Sequence, residues 1–347
     1  MASRERRRHA PRIAVIGATG AAGSTVLRIL EERHFPIGEL RALASVRSAG
    51  MTVGFGGAPV TVAEVTDDSL RGIDIAFFAA GSAAARRFAP VVAAGGGVAV
   101  DKSSAYRADP EVPLVVPEVN AETLRSHQGI VANPNCVTIP LTVCVAPLHR
   151  AFGLRRLTVA TYQSASGGGR DLVAELRAQE QADADGRQPL ASVYPHVLHA
   201  NVVPGGWAMQ GDDTDEELKV IAETRRVLQL ADLPVSITTV RVPVAVGHSA
   251  AVWGEFDVDV DAAAARRVLG DSPGVRVVDD PAAQRYPTPR DAAGSDDVLV
   301  GRIRADRGRP GAVAFFLAAD NLRKGAATNA VQVGELLLAL RGATAAA

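Results

Sequence analysis

Among the side chains of this sequence that can attack a substrate covalently, Cys136 has the most informative surroundings. The segment Asn133 to Thr138 ends an extended run and opens a helical pattern, so we expect Cys136 at or near a helix N-terminus. The positive end of a helix dipole stabilises a thiolate, the reactive form of cysteine. The other cysteine, Cys144, falls among apolar residues in mid-helix and is predicted to be a buried core residue. The pattern indicates nucleophilic catalysis by Cys136.

A thiol nucleophile needs a base and groups that orient its substrate. Gln163 ends a strand-like run that leads into a Ser/Gly-rich loop, from which its amide can reach a cleft. Arg241 and His248 are seven residues apart, which places them on opposite faces of a regular strand. Pro243 and Gly247 can break that alternation, so both side chains remain candidates for the same site.

A glycine-rich turn lies between the first apolar strand and the helical pattern that follows it. Such a turn brings the backbone close to a pyrophosphate, which the helix N-terminus attracts. The spacing is GxxGxxG rather than the commoner GxGxxG, so a turn without a ligand is the alternative. The contacts predicted in this turn are Gly17, Thr19, Gly20, Ala21, Ala22 and Gly23.

The second strand ends in Ser45, Val46, Arg47 and Ser48. An enzyme that uses NAD often has an acidic residue here for the ribose hydroxyl, but no acid occurs between Arg41 and Gly50. Because two hydroxyls and an arginine suit a 2′-phosphate, Ser45, Arg47 and Ser48 favour NADP over NAD. The alternative is a solvated polar loop.

The order of the predicted elements indicates an α/β protein with two domains. Strands alternate with helices up to Cys136, which is typical of a Rossmann-type nucleotide-binding domain with a parallel sheet. We predict this domain over residues 11–135, with a last apolar helix near 325–340 adding about 322–347. Residues 136–321 are predicted to form an α+β catalytic and dimerisation domain with a mostly antiparallel sheet, including strands at 157–163 and 237–246.

Composition excludes several classes of function. The formal net charge of −1 gives no reason to expect nucleic-acid or membrane binding, and no apolar run reaches the roughly 18 residues that span a bilayer. Two cysteines exclude a disulfide framework and a Cys-rich zinc site and fit a cytoplasmic protein, and no metal site is predicted. Residues 1–10 are basic and are expected to be a disordered tail.

Together these segments resemble the aspartate-semialdehyde dehydrogenase family. Each motif alone is weak, but all of them in this order, over nearly the whole chain, are specific. The segments that carry the resemblance are 17–20, 103–107, 113–120, 133–136, 161–169, 216–219, 241–248, 286–290 and 320–329.

The resemblance implies NADPH-dependent reduction of β-aspartyl phosphate to aspartate semialdehyde, on the route to lysine, threonine, methionine and diaminopimelate. Cys136 would attack the acyl phosphate and form a thioester. His248 would act as acid and base, and Gln163 would hold the intermediate in line for reduction. A homodimer that binds no nucleic acid and no membrane is also expected.

The resemblance also assigns substrate contacts. Arg241 would bind the α-carboxylate and Glu216 the α-ammonium, whereas Arg107, Asn135 and Lys219 would bind phosphate. A surface ion pair between Glu216 and Lys219 is the alternative for those two residues. Further cofactor contacts are expected from Ser166, Gly167 and Asn321.

The sequence departs from the family pattern in two places. Residue 102 is lysine, one of only three lysines in the chain, where a small polar residue is expected. Gly205, Gly206 and Trp207 replace a more polar, acidic run, so the contacts of this loop cannot be carried over.

Three alternatives to the implied activity remain at this point. A related reductase of N-acetylglutamyl phosphate would share the thiol and the histidine. Because its substrate has no free ammonium group, it needs no acid there, and the presence of Glu216 argues against this alternative. A non-catalytic relative would be expected to lack the nucleophile. An active enzyme with an altered substrate in specialised metabolism also fits the sequence.

Overall fold

The structure is a computed structural model that describes residues 10–344. The predicted basic tail therefore lies outside the described residues, apart from Ala10. The strands are β1 Arg12–Ile16, β2 Glu39–Ala44, β3 Thr52–Phe55, β4 Ala58–Thr61, β5 Ala63–Glu64, β6 Ile75–Phe78, β7 Val98–Asp101, β8 Ile130–Ala132, β9 Leu154–Tyr162, β10 Met209–Gln210, β11 Asp213–Thr214, β12 Val235–Thr238, β13 His248–Phe256, β14 Val275–Val277, β15 Val298–Ala305 and β16 Val313–Ala319. The α-helices are α1 Ala21–Glu32, α2 Ser82–Ala94, α3 Pro117–Asn120, α4 Thr138–Phe152, α5 Arg170–Ala184, α6 Asp215–Leu228, α7 Ala262–Gly270, α8 Pro289–Ala292 and α9 Thr328–Thr344.

The described residues form two compact units. The first contains residues 10–113, 123–133 and 330–344, and the second contains Leu114–Glu122 and Pro134–Asn329. The segment 114–122 was expected in the nucleotide-binding domain, but it is held inside the second unit by buried polar contacts. The Lys324 ammonium pairs with Glu118 of α3, and the Asn329 amide donates to the Val115 carbonyl at 2.9 Å.

The first unit is built on a six-stranded parallel sheet in the order β5-β2-β1-β6-β7-β8. Its inner strands are apolar and buried on both faces, as expected where helices cover a parallel sheet. On one side, Gly334 of α9 lies against the rings of Phe77 and Phe35. The Rossmann-type fold predicted from the alternation of strands and helices is confirmed.

The second unit contains a mixed six-stranded sheet in the order β12-β9-β13-β16-β15-β14. Its three inner pairings are antiparallel, whereas β12 and β14 pair in parallel at the two edges. The mostly antiparallel sheet predicted from the long strands is therefore present, with parallel edges that the sequence pattern did not indicate.

Two local predictions in the second unit were wrong. The expected strand over 237–246 ends at Thr238, because Arg241 leaves the ladder and pairs with both Gln163 and Val203. The last helix begins at Thr328 rather than near Gly325, since a π-helix over Arg323–Ala327 precedes it.

Within residues 10–344, no helix is long and apolar enough to cross a membrane. The same residues contain no group of three or more histidine, cysteine or acidic side chains placed to bind a metal ion.

Candidate active site

The predicted cofactor contacts of the first unit meet at one edge of its parallel sheet. Gly17, Thr19 and Gly20 form the turn after β1, and Ala21 to Gly23 form the first turn of α1. A short 3-10 turn after β2 holds Arg47 and Ser48, with Ser45 at its N-cap. The two loops are adjacent, because the Leu43 carbonyl of β2 accepts hydrogen bonds from the backbone of Gly17 and Ala18.

The turn after β1 suits a phosphate group. Gly17 has a φ of +85°, and a Cβ there would lie 2.8 Å from the carbonyl group of Ala79, so only glycine fits. No side chain caps the N-terminus of α1, and its first turn contains no acidic residue. The helix dipole and its free N–H groups can therefore act on an anion.

Arg47 and Arg107 differ in the contacts that their side chains make within the described residues. The side chain of Arg47 is exposed and makes no hydrogen bond or ion pair with the described part of the chain. Arg107 lies beyond the end of β7, where its guanidinium donates to the Lys102 carbonyl at 2.7 Å. Arg107 is thus braced against the backbone of Lys102, the residue that departs from the family pattern.

In the second unit, the chain positions Cys136 as predicted. Cys136 lies two residues before α4, half-buried, and its Sγ is 3.3 Å from Nε2 of His248. Cys144, inside α4, is fully buried, and burial raises the pKa of its thiol. Cys136 thus lies half-buried beside a helix start, whereas Cys144 is a core residue.

His248, the first residue of β13, is held from its other nitrogen. The backbone N–H of Ser164 donates to His248 Nδ1 at 3.0 Å, so Nδ1 must be an acceptor. Burial, with a smaller effect from the charge of Arg241, lowers the pKa of His248 to about 3. The imidazole is therefore neutral at physiological pH and carries its proton on Nε2, facing Cys136.

A network of buried polar groups supports this histidine from behind. The Oδ1 atom of Asn321 accepts from the Ser166 hydroxyl at 2.9 Å, the Ser164 hydroxyl at 3.1 Å and the Gly247 backbone at 3.0 Å. The Ser164 hydroxyl also lies 3.0 Å from His248 Nδ1. The side-chain oxygen of Asn321 is thus bound by three donors within the protein. Its predicted role toward the cofactor would be an additional one.

A second set of contacts centres on Glu216, which is only 8% exposed. Its Oε1 atom accepts from the Asn135 amide at 3.0 Å and from the Gln163 amide at 3.4 Å. The Asn135 side-chain oxygen accepts from the Val137 backbone at 2.7 Å, which shapes the turn around the nucleophile. Glu216 therefore links the Cys136 turn with Gln163 at the end of β9.

Local capping explains why Glu216 points into the site. Thr214 and Glu217 form a reciprocal capping box at the start of α6, and the acidic first turn favours the positive end of the helix. Lys219 pairs with Asp215 along the same helix and not with Glu216. The surface ion pair between Glu216 and Lys219, left open by the sequence, is therefore wrong.

Arg241 lies beside the nucleophile's histidine and is only 4% exposed. Its Nη1 donates to the Ser164 carbonyl at 2.8 Å, and its buried Nε has no hydrogen-bond partner among the described residues. Gly167 is in close contact with both groups, since a Cβ there would lie 3.0 Å from Arg241 Nη1 and 3.1 Å from His248 Nε2. Arg241 and His248 therefore do face one site, although they are not on one regular strand.

The π-helix supports the nucleophile from the opposite side. A Cβ at Gly325 would lie 3.1 Å from the Cys136 carbonyl, so this turn packs closely against the reactive residue. The side chain of Lys324 is fully buried, with its ammonium 2.7 Å from both carboxylate oxygens of Glu118. Lys324 therefore stabilises the fold through a buried ion pair. That lysine is rare in this chain does not by itself indicate whether a given lysine binds a ligand or a neighbouring side chain.

Sequence reasoning missed two residues that position the site. Ser164 was quoted only as part of a loop, and no signal in its residue type marks the backbone contact to His248. Glu223 accepts from the Asn135 backbone at 2.5 Å. It lies seven residues after Glu216 on α6, two helical turns along the same face, and that spacing could have identified it.

Comparison with known proteins identifies the family of this chain. The model of the NAD-binding domain of semialdehyde dehydrogenases matches residues 12–127, and the model of their dimerisation domain matches residues 145–324. The chain therefore belongs to the semialdehyde dehydrogenase family.

The relatives within that family carry a more specific name. The aspartate-semialdehyde dehydrogenase of Synechocystis is 43% identical over 94% of this chain and 97% of its own, and that of Aquifex aeolicus is 44% identical over 94% and 98%. The crystal structure of aspartate semialdehyde dehydrogenase II from Vibrio cholerae superposes with a TM-score of 0.92 at 39% identity, covering 95% of this chain and 98% of that one. These matches confirm the resemblance drawn from the motifs.

Proposed function

We propose that this protein is an NADP-dependent aspartate-semialdehyde dehydrogenase. It would reduce β-aspartyl phosphate to aspartate semialdehyde, reversibly, for the synthesis of lysine, threonine, methionine and diaminopimelate. The observation that carries the proposal is the pair formed by Cys136 Sγ and His248 Nε2 at 3.3 Å, beside the buried Arg241 and Glu216. The names of the relatives support the same substrate.

The covalent chemistry begins at Cys136. The half-buried Cys136 thiol loses its proton to solvent. The thiolate then attacks the acyl carbon of β-aspartyl phosphate, a C–S bond forms, and the C–O bond to the leaving phosphate breaks. The thioester that results is an acyl group held on the protein. Hydride addition turns its carbonyl oxygen into an oxyanion, and collapse of this thiohemiacetal releases the aldehyde and regenerates the thiolate.

His248 supports each of these steps as a neutral hydrogen-bond donor. Because Ser164 occupies Nδ1, the Nε2 proton points at Sγ and can be shared with the thiolate before attack. The same proton can be shared with the oxyanion of the thiohemiacetal and returns to Nε2 on collapse. No net proton need remain on the histidine, which agrees with the low pKa that burial gives it.

Substrate recognition follows from charge complementarity. The guanidinium of Arg241 would bind the α-carboxylate, with the unpartnered Nε on the edge that it presents. Glu216 uses Oε1 for Asn135 and Gln163, so Oε2 would bind the α-ammonium. Gln163 would keep the acyl group aligned.

Asn135, Lys219 and Arg107 are proposed to bind phosphate, as the family resemblance implies. The half-exposed ammonium of Lys219 has only its helical neighbour Asp215 as a partner among the described residues. A compact ammonium and an amide are suitable ligands for a phosphate group that enters and leaves in each cycle.

The cofactor proposed is NADP, which supplies the hydride when bound in its reduced form. The glycine turn over residues 17–23 would bind its pyrophosphate. Ser45, Arg47 and Ser48 would bind the 2′-phosphate, because the exposed Arg47 guanidinium has no competing partner within residues 10–344 and no acid lies nearby in sequence. Ser166, Gly167 and Asn321 are proposed as further contacts from the second unit.

The protein is proposed to act as a cytoplasmic homodimer. The match to a dimerisation domain over residues 145–324 supports self-association. Light scattering of the purified protein at micromolar concentration should give twice the monomer mass of 36.0 kDa. A monomer with full activity at that concentration would contradict this part of the proposal.

The substrate is tested by following phosphate-dependent reduction of NADP with purified protein. L-aspartate semialdehyde should be oxidised with a kcat/KM at least about 100-fold above that of N-acetyl-L-glutamate semialdehyde, because the buried Glu216 requires an ammonium partner. The variant Glu216→Gln should lose most of that preference.

Other outcomes would contradict the proposal in distinguishable ways. Preference for the acetylated compound would indicate the related reductase. Turnover of a different semialdehyde would indicate an altered substrate. No turnover of any, with correctly folded protein, would indicate a non-catalytic relative.

A further inference from the structure

The loop that departs from the family pattern lies directly over the proposed carboxylate ligand. The indole of Trp207 has its ring centroid 4.6 Å from the guanidinium carbon of Arg241, and the ring of Tyr194 lies 5.6 Å from the same atom. Trp207 is half-buried and Arg241 is buried. An arginine that faces two aromatic rings in a desolvated place is held by cation–π attraction.

We infer that Trp207 is a positioning residue for substrate recognition, which fixes the plane of the Arg241 guanidinium so that one edge of it meets the α-carboxylate. This inference rests on the proposed function. It adds a residue and a contact that the family resemblance does not supply, because that resemblance predicts a polar, acidic run at 205–207.

The remaining contacts of Arg241 leave its orientation dependent on such a partner. Nη1 donates to the Ser164 carbonyl, and the guanidinium also has a side-chain hydrogen bond with Tyr194. These two contacts still allow the plane of the guanidinium to tilt about the line that joins them. Nε is buried without a hydrogen-bond partner among the described residues, which is unfavourable until a carboxylate binds to it. A ring stacked on the guanidinium face removes the turning motion while leaving the edge free, since cation–π contacts use the face and carboxylates use the edge.

The two glycines before Trp207 allow the loop to reach this position. The hydroxyl of Tyr194 donates to the Gly205 carbonyl, which ties the loop down. Gly206 has a φ of +87°, and a Cβ there would lie 2.1 Å from the Tyr194 hydroxyl oxygen. Any larger residue at 206 would push the loop away from Tyr194 and carry Trp207 off Arg241.

Tyr194 itself is anchored by α5. The buried carboxylate of Glu175 accepts from the backbone of Ser192 at 2.7 Å, Val193 at 2.5 Å and Tyr194 at 3.2 Å. Burial alone would raise the pKa of Glu175, but these hydrogen bonds outweigh it and lower the pKa, so the carboxylate stays charged. The path from α5 through Tyr194 to Trp207 is a continuous support for the guanidinium.

The test compares Trp207→Ala, Trp207→Leu and Trp207→Phe in steady-state kinetics with L-aspartate semialdehyde. Trp207→Ala should raise KM for the semialdehyde by about tenfold, the range expected for a partly desolvated cation–π contact. Its KM for NADP and for phosphate should stay within about twofold, which a general loss of structure would not allow. Trp207→Phe should recover most of the effect, whereas Trp207→Leu, which covers without an aromatic face, should not.

Two further comparisons separate a role through Arg241 from other roles. In an Arg241→Lys background, Trp207→Ala should add little, because the planar partner is already lost. Gly206→Ala should resemble Trp207→Ala, whereas Gly211→Ala is the matched control. Gly211 lies nearby in the chain, in the turn between β10 and β11, with a similar φ of +67°, but a Cβ there meets nothing within 4 Å.

The outcomes distinguish this inference from the proposed function. Wild-type protein without turnover of L-aspartate semialdehyde would overturn both. Normal wild-type turnover with an unchanged KM in Trp207→Ala would overturn the inference alone, as would equal rescue by leucine and phenylalanine. Additive effects of Trp207→Ala and Arg241→Lys would show that Trp207 acts on something other than the guanidinium.

Discussion

The two compact units hold their functional groups in different ways. In the first, the predicted ligand contacts are largely backbone groups at the ends of β1 and β2, next to the start of α1. In the second, they are buried side chains that hold one another, such as His248, Asn321 and Glu216. The first region offers a general anion site, whereas the second fixes particular atoms at particular distances.

This difference predicts how each region responds to substitution. A binding site made of N–H groups survives most side-chain changes, because every residue except proline carries the donor. A network of buried side chains fails when one member is removed, because its partners remain buried without hydrogen bonds. Three substitutions test this contrast, from the largest expected effect on activity to the smallest, and a pH dependence tests the stability of the buried network.

Removal of the nucleophile should have the largest effect. Cys136→Ala should lower kcat for phosphate-dependent NADP reduction by about four orders of magnitude or more, since the covalent route is lost. Cys144→Ala is the matched control in the same segment of chain and should retain near-normal kcat, with a loss of unfolding free energy of about 1 kcal/mol. Steady-state assays with urea denaturation measure both, and equal activity of Cys136→Ala and wild type would refute the thioester mechanism.

Arg241→Lys should have the next largest effect. It keeps the charge but loses the planar fork and the Nη1 contact to the Ser164 carbonyl. We expect kcat/KM for aspartate semialdehyde to fall by about 100-fold, with kcat falling too because the acyl carbon is displaced from Cys136. The dissociation constant for NADPH should hardly change, and circular dichroism should show an intact fold. Normal substrate kinetics would remove Arg241 from the site.

In the first unit, a single side chain should affect preference rather than catalysis. Arg47→Ala should raise KM for NADP by about tenfold and leave KM for NAD nearly unchanged, because only the contact to the 2′-phosphate is lost. Exposed Arg28 of α1 provides a control, since its partner within residues 10–344 is Glu32 on the same helix. Equal changes for both cofactors in Arg47→Ala would show that Arg47 does not contact the 2′-phosphate.

The last prediction concerns the stability of the fold against pH, rather than activity. The folded-state pKa of His248, about 3, lies below the unfolded value of about 6.5. Between these values the unfolded chain binds the extra proton, so the folded state loses stability as pH falls from 6.5 toward 3. His248→Gln cannot titrate, so wild type should lose about 2 kcal/mol more unfolding free energy than the variant between pH 7 and pH 5. Parallel losses in urea denaturation would contradict the prediction.

The sequence predicted the positions that local rules control. The glycine turn before α1 and the start of α4 beside Cys136 both have strong local signals. The predictions failed where pairing between segments far apart in the chain decides the structure. The run over 237–246 has the residue types of a strand, but Arg241 pairs instead with Gln163 and Val203, which lie far away in the chain.

Helix α5 shows a further reason for a missed element. Its buried face contains Glu175 and Gln179 next to Leu172 and Leu176, so no continuous apolar stripe marks the helix. Those polar groups are buried because they accept from loop backbone, as Gln179 does from Leu198 at 2.9 Å. The sequence showed that residue 207 departs from the family pattern. It could not show that Trp207 packs on Arg241, because these two residues meet only in the folded chain.

The contact between the Ser164 backbone and His248 has a consequence for how this enzyme can change over generations. The donor that selects the histidine tautomer is a peptide N–H, which any codon except one for proline preserves. A substitution at residue 164 would therefore leave the same imidazole nitrogen protonated, although it would remove the Ser164 hydroxyl from the buried network around Asn321. The tautomer of His248 depends instead on the pairing of β9 with β13, where Tyr162 lies opposite Ser249. A mutation that shifts this register would change the chemistry without touching any reactive side chain.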